Sequence, residues 1–193
     1  MKMFFGFLAA AIVGISAAAP ARANVVNFTE MQDSLALEAQ LTAGLNWKVG
    51  DKANYNLDLG GFIKGTIVAE VTKDTGTGFW FTQDIDLQIQ KQKIEVLINK
   101  SNGQIEKILM DGKEQEIPKN DSEIVEMKED KITVPLGSFD AIHAKIKDKK
   151  TGEISDAWVN PKVCPLTGIL KSIGNSQLGK ITQEATACKF VQR

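Results

Sequence analysis

From Trp47 onward the chain is cut at short intervals by residues that tolerate a positive φ. Gly60-Gly61, Asn102-Gly103, Asp111-Gly112 and Thr151-Gly152 do this, and so does the run Asp74 to Gly78. Such pairs suit tight hairpins. The stretches between them predict strands near 52–59, 62–72, 79–87, 91–99, 104–110, 131–134, 139–147, 154–159, 169–173 and 181–190. Many strands joined by hairpins, with few helical signals between them, predict an antiparallel meander. Residues 113–130 are the least patterned. The charged run Asp121 to Asp130 fits either a short helix or a surface excursion.

Alternation separates the faces. Phe79, Phe81, Ile85 and Leu87 share one side of their strand, and Trp80, Thr82, Asp84 and Asp86 share the other. Ile94, Val96 and Ile98 likewise share a side. The stretches 105–110 and 139–146 are apolar on both sides and need cover on both.

The leading segment is of another kind. Lys2 precedes an uncharged apolar run from Met3 to Ala19, and Ala21-Arg22-Ala23 has the small-x-small form of a cleavage site. This predicts a signal peptide over 1–23, cleaved after Ala23, an export to periplasm or medium, and one domain over 24–193. No later stretch approaches the length of a spanning helix, so the chain is not expected to cross a membrane after cleavage. Residues 28–42 predict an amphipathic helix, with Phe28, Met31, Leu35 and Ala39 on one stripe. Asn27 and Glu30 form a capping box before it.

Composition narrows the chemistry. The 193-residue chain has net charge -1 and no aromatic-basic platform, which argues against a nucleic-acid partner. Its two cysteines, Cys164 and Cys188, lie in the exported part, and an even count there favours a disulfide, with two buried free thiols as the alternative. Two Cys and the single His143 lack zinc-ligand spacing. Asp84 and Asp86 share a strand side but lack a Gly-containing acidic loop for Ca²⁺. The acidic group Glu123, Glu126, Glu129 and Asp130 and the basic group Lys145, Lys147, Lys149 and Lys150 read as two solvated surfaces. No nucleophile-elbow or phosphate-loop motif accompanies His143, so neither enzyme activity, metal nor cofactor is expected.

The most distinctive stretch runs from 132 to 171. Pro135 cannot donate to a ladder and marks a strand break, and Gly137 allows the chain to turn into the Phe139 strand. Phe139 and Trp158 are large anchors, Pro165 and Gly168 shape a loop, and Lys171 is expected to reach solvent. The set Val134, Pro135, Gly137, Ser138, Phe139, then Trp158 and Pro161, then Pro165, Gly168, Ile169, Leu170 and Lys171 resembles a pattern of exported bacterial β-proteins. That pattern is V-P-x-G-[ST]-F, a Trp before a Pro, then P-x-x-G-[ILV]-[ILV]-K. The segment WKVGDKANYNL, from Trp47, also resembles the first strand of such proteins.

This group resembles the LolA/LolB-like lipoprotein-carrier superfamily. The resemblance implies an α+β, mainly β fold: a strongly curved antiparallel sheet, half a barrel, with the N-terminal amphipathic helix beside it. It also implies a lipid or acyl chain as ligand in the concave side, with Phe62, Phe79, Phe81, Phe139 and Trp158 as candidate lining residues. The competing expectation is a non-catalytic cell-envelope module with a solid core and a protein partner, in which Trp80, on the wet side of its strand, is the anchor.

Overall fold

The computed structural model of the protein describes residues 45–117, 122–176 and 179–192. The expected leader and the helix over 28–42 lie outside the described residues. Eleven strands follow in order: β1 (Lys52–Leu59), β2 (Ile63–Asp74), β3 (Gly78–Asp86), β4 (Lys91–Asn99), β5 (Ile105–Met110), β6 (Lys113–Gln115), β7 (Ser122–Val134), β8 (Gly137–Asp148), β9 (Ile154–Val159), β10 (Ile169–Ser176) and β11 (Gly179–Lys189). All pair antiparallel in one sheet, ordered β6-β5-β4-β3-β2-β1-β11-β10-β9-β8-β7. Two meanders thus run outward from the central pair β1–β11. The described residues contain no helix.

The expected breaks are turns because their backbone requires it. Gly60, Gly61, Gly76, Gly103, Gly112 and Gly152 all hold positive φ. Chain length keeps the sheet from being flat. A flat sheet of eleven strands would hold its edges roughly 48 Å apart. Only six residues join Gln115 of β6 to Ser122 of β7, and they reach at most about 25 Å. The sheet must therefore curl toward itself, yet β6 and β7 do not pair and it stays unclosed.

One face of the curl is largely apolar, with Gln83, Gln183 and Ser172 as buried polar exceptions. Register places Ile108, Val96, Phe81 and Val71 on it, with Tyr55, Leu57 and Ile181 at the centre and Ala157, Ala144 and Ile146 beyond. All are buried. This is the inner face.

The described part of the charged run, Ser122 to Asp130, is neither helix nor excursion. From Ser122 it belongs to β7, the edge strand, whose exposed positions tolerate charge on both sides. The two charge groups are likewise not separate surfaces. Strand β7 lies against β8, so Glu126 pairs with Lys145 at 2.9 Å and Glu123 with Lys149 at 3.7 Å. The short strand β6 was not expected either, because three polar residues carry no alternation.

Candidate functional site

The two ends of the sheet differ. At one end lie the tight hairpins β1–β2, β3–β4, β5–β6 and β8–β9, with the joined ends of β10 and β11. The other end holds the hairpins β2–β3, β4–β5 and β7–β8, the incoming segment Leu45–Asp51, the outgoing segment after Lys189, and the connection Asn160–Gly168 between β9 and β10.

Trp47 comes in over the inner face. Its ring centroid lies 6.1 Å from that of Phe79 and 5.9 Å from that of Phe81, both tilted contacts. Asp51 ties this segment down. Its buried carboxylate accepts Lys48 N at 2.9 Å and Val191 N at 2.8 Å, which joins the two ends of the described domain. Hydrogen bonds to a charged acceptor are worth about 1.5–3 kcal/mol each.

The connection 160–168 explains most of the sequence pattern. Asn160 O accepts both Val163 N and Cys164 N at 3.1 Å, and Asn160 N donates to Gly168 O at 2.8 Å. Gly168 has φ +68°, and a Cβ there would sit 3.0 Å from Pro161 Cα. The proline and the glycine therefore pack directly on each other. Cys164 is disulfide-bonded to Cys188, with Cα atoms 5.0 Å apart. Cys188 lies opposite the buried Ala53, so the disulfide clamps the loop over the inner face. Leu166 is fully buried there at φ 68°. Thr167 shares a hydrogen bond with Tyr55, whose burial pushes its pKa up to about 12.

The β7–β8 hairpin also serves this closure. Leu136 N, at its tip, donates to Ala185 O of β11 at 3.0 Å. Gly137 sits at φ +146°, and a Cβ there would meet the Phe139 ring at 3.1 Å.

Toward the β7 edge part of the inner face is left without cover by the described residues. Met127, opposite Ala144, is 59% exposed, and Ile142, opposite Val159, is 38% exposed. Two buried polar atoms near this face, Trp47 Nε1 and Ser172 Oγ, have no hydrogen-bond partner among the described residues.

The outer face of β7, β8 and β9 carries a second constellation. His143 and Trp158 are cross-strand partners, stacked at 4.2 Å with an interplanar angle of 2°. His143 Nε2–H donates to Asp156 Oδ1 at 2.7 Å, and Trp158 Nε1–H donates to Asp130 Oδ2 at 2.9 Å. The Trp158 bond and Lys131 N hold the Asp130 carboxyl below the usual carboxylate range. A stacked imidazole with its donor spent on a carboxylate is a cross-strand staple. The carboxylates of Asp130 and Asp156 reach this pair from the neighbouring strands β7 and β9, so no stretch of sequence around His143 shows them.

The five candidate lining residues do not share one wall. Phe79 and Phe81 lie on the inner face, in the core. Phe139 and Trp158 lie on the outer face, opposite Ile132 and His143. Phe62 is 92% exposed at the tip of the β1–β2 hairpin. Odd-even counting within one strand cannot relate faces between strands separated by bulges. Lys171 does not simply reach solvent, since its Nζ pairs with Glu184 at 2.7 Å across β10 and β11. Asp86 pairs with Lys91 at 2.9 Å, and the described residues contain no cluster fit for a metal. Trp80 is half-buried on the outer face, beside Leu97.

No protein-family model and no curated protein matches the chain. Among solved structures it is similar to a chain of the MucA/MucB complex of Pseudomonas aeruginosa, with TM-score 0.46 and 11% identity over 86% of this chain and 63% of that one. It thus spans less than two thirds of that neighbour. It is also similar to a DUF1329 family protein from Desulfovibrio piger, with TM-score 0.35 and 9% identity over 83% of this chain and 92% of that one. At these scores the architecture stands on the strand register alone.

Proposed function

We propose that the protein is an exported, non-enzymatic cell-envelope protein that takes an apolar ligand, a lipid or acyl chain, along the inner face at the β7 edge. The observation that carries this reading is the contrast along one face. Its middle is covered by Trp47 and the 160–168 loop, while Met127 and Ile142 on the same face are uncovered. Pockets for such ligands are mostly apolar with a few polar groups. The apolar leader and the disulfide support export to an oxidising compartment. The resemblance to lipoprotein carriers points the same way.

Native mass spectrometry of gently purified protein, followed by organic extraction, tests it. The expected result is a lipid-mass adduct in the wild type that is lost in Ile142→Asp. Phe81→Asp is no test of binding, because Phe81 packs on Trp47 and its loss would open the core. A clean apo mass, or an adduct that survives Ile142→Asp and Met127→Asp, would refute the reading. The second reading, an interaction module with a protein partner, is favoured by the filled middle of the sheet. Under it, Trp80→Ala would abolish capture of an envelope protein while leaving lipid content unchanged.

A further inference from the structure

We propose that the end of the sheet carrying the β1–β2 and β3–β4 hairpins is a docking face for an anionic lipid surface, with Phe62 and Ile89 as its inserting side chains. Phe62 is 92% exposed and Ile89 is 71% exposed, the two highest values among the exposed large hydrophobic residues. Each sits at the tip of a hairpin, and the two hairpins are neighbours. Thr66 of β2 lies opposite Asp86 of β3, and Gly65 packs so closely on the β3 end that a Cβ there would lie 2.4 Å from Asp86 O. Both tips therefore project from the same end, roughly 10 Å apart. The start of β11 is tied to the first tip, because Gly60 N donates to Lys180 O at 2.7 Å.

Charge at this end is arranged by geometry rather than by count. Three aspartates are turned back into their own turns, while Asp111 at the β5–β6 tip accepts Lys93 N of β4 at 2.9 Å and Glu153 at the β8–β9 tip is exposed. Asp58 accepts Gly61 N at 2.8 Å, Asp86 accepts Gln88 N at 3.0 Å, and Asp148 accepts Lys150 N at 2.6 Å. Lysines flank the tips: Lys64 bridges to Asp58, Lys91 is 81% exposed beside Asp86, and Lys149, Lys150 and Lys180 are exposed. An ammonium on a flexible stem can reach a phosphate while its carboxylate partner stays in the turn.

This arrangement fits a bilayer better than a protein. Protein interfaces have a contiguous apolar centre with a polar rim. Here two apolar side chains stand on separate convex tips with lysines between and around them. Head groups part around such protrusions, and each nearby lysine adds electrostatic attraction to an anionic leaflet. The proposal stands apart from the inner-face reading, since neither tip residue faces the uncovered stretch at Met127.

Co-sedimentation with phosphatidylethanolamine–phosphatidylglycerol vesicles tests it, using the full chain as purified after export. The wild type is expected to partition onto these vesicles and much less onto phosphatidylcholine vesicles. The double variant Phe62→Ser/Ile89→Ser should lose about tenfold or more in partitioning, with an unchanged melting temperature because both side chains are solvated. Replacing Lys64, Lys91 and Lys180 by Gln should weaken binding and flatten its salt dependence. Absence of wild-type binding to the anionic vesicles would overturn the proposal. So would undiminished binding of the double variant, which would trace any lipid affinity to the inner face.

Discussion

Replacing Gly168 by Ala tests how much stability is invested in the closure of the 160–168 loop. Two costs meet at this position. The first is conformational, since φ is +68° and an L-residue there costs about 1–2 kcal/mol. Lower entropy of the unfolded chain returns about 0.4–1 kcal/mol of that. The second is steric. The new methyl would lie 3.0 Å from both Cα and N of Pro161, backbone atoms held by the hydrogen bond from Asn160 N to Gly168 O. Overpacking of this kind costs about 1–3 kcal/mol. The expected total is a loss of about 2–4 kcal/mol.

Gly152→Ala separates the two terms. Gly152 has φ +74° and no atom within 4 Å of the added Cβ, so it bears the backbone cost alone. Its expected loss is about 1 kcal/mol or less. Urea unfolding of the two variants, followed by circular dichroism, gives the comparison. With a slope near 2–3 kcal/mol/M, the Gly168 variant should shift its midpoint by about 1 M and the Gly152 variant by a third of that or less. Equal shifts would refute the steric argument and with it the claim that Pro161 and Gly168 form the brace of this loop.

Reduction of the Cys164–Cys188 bond, which spans 24 residues, should lower stability by about 3 kcal/mol, read as a drop in melting temperature with dithiothreitol; an unchanged melting temperature in a fully reduced sample would refute the clamp. Tyr55 is the only tyrosine, so absorbance at 295 nm reports it alone, and its midpoint in the folded protein should lie near 12 rather than 10. Because the folded value is raised, the stability it reflects is whole below the unfolded pKa near 10 and is lost as pH rises toward 12; a folded-state titration at 10 would show that Tyr55 is not buried. Asp130 carries the opposite sign: its pKa is lowered first by the Trp158 bond, so its contribution is present above the unfolded value near 3.8 and lost as pH falls through the lowered one. Trp158→Phe keeps the stacking and removes the donor, so the Asp130 carboxyl resonance should titrate closer to its ordinary value; an unchanged titration would remove Trp158 as the cause.

What could be read from the sequence was local. Turn residues were legible because a positive φ is a property of one or two positions, and Gly60, Gly61, Gly103, Gly112 and Gly152 sit where they were expected. The inner row of β3 and β4 was legible because period-two alternation survives within a strand. The charged edge strand β7 was not, since its pairing with β8 is what makes Glu126 and Lys145 neighbours, and no window along the chain contains that contact.

The site was lost at the same step. Whether Phe81 and Phe139 share a wall depends on strand order across the centre of the sheet and on bulges that shift the register, such as the one between Ile169 and Lys171. The residues that close the loop illustrate the opposite case. Pro161 and Gly168 stood out in the sequence as a pattern without a stated contact, and the fold supplies it, because only a residue without Cβ can lie that close to the proline. Thus the pattern Trp158, Pro161, Pro165, Gly168 is mainly a signature of how the sheet is closed at one end. The residues that would meet a ligand or a membrane, Met127, Ile142, Phe62 and Ile89, are ordinary hydrophobic residues whose significance lies wholly in where the fold leaves them uncovered.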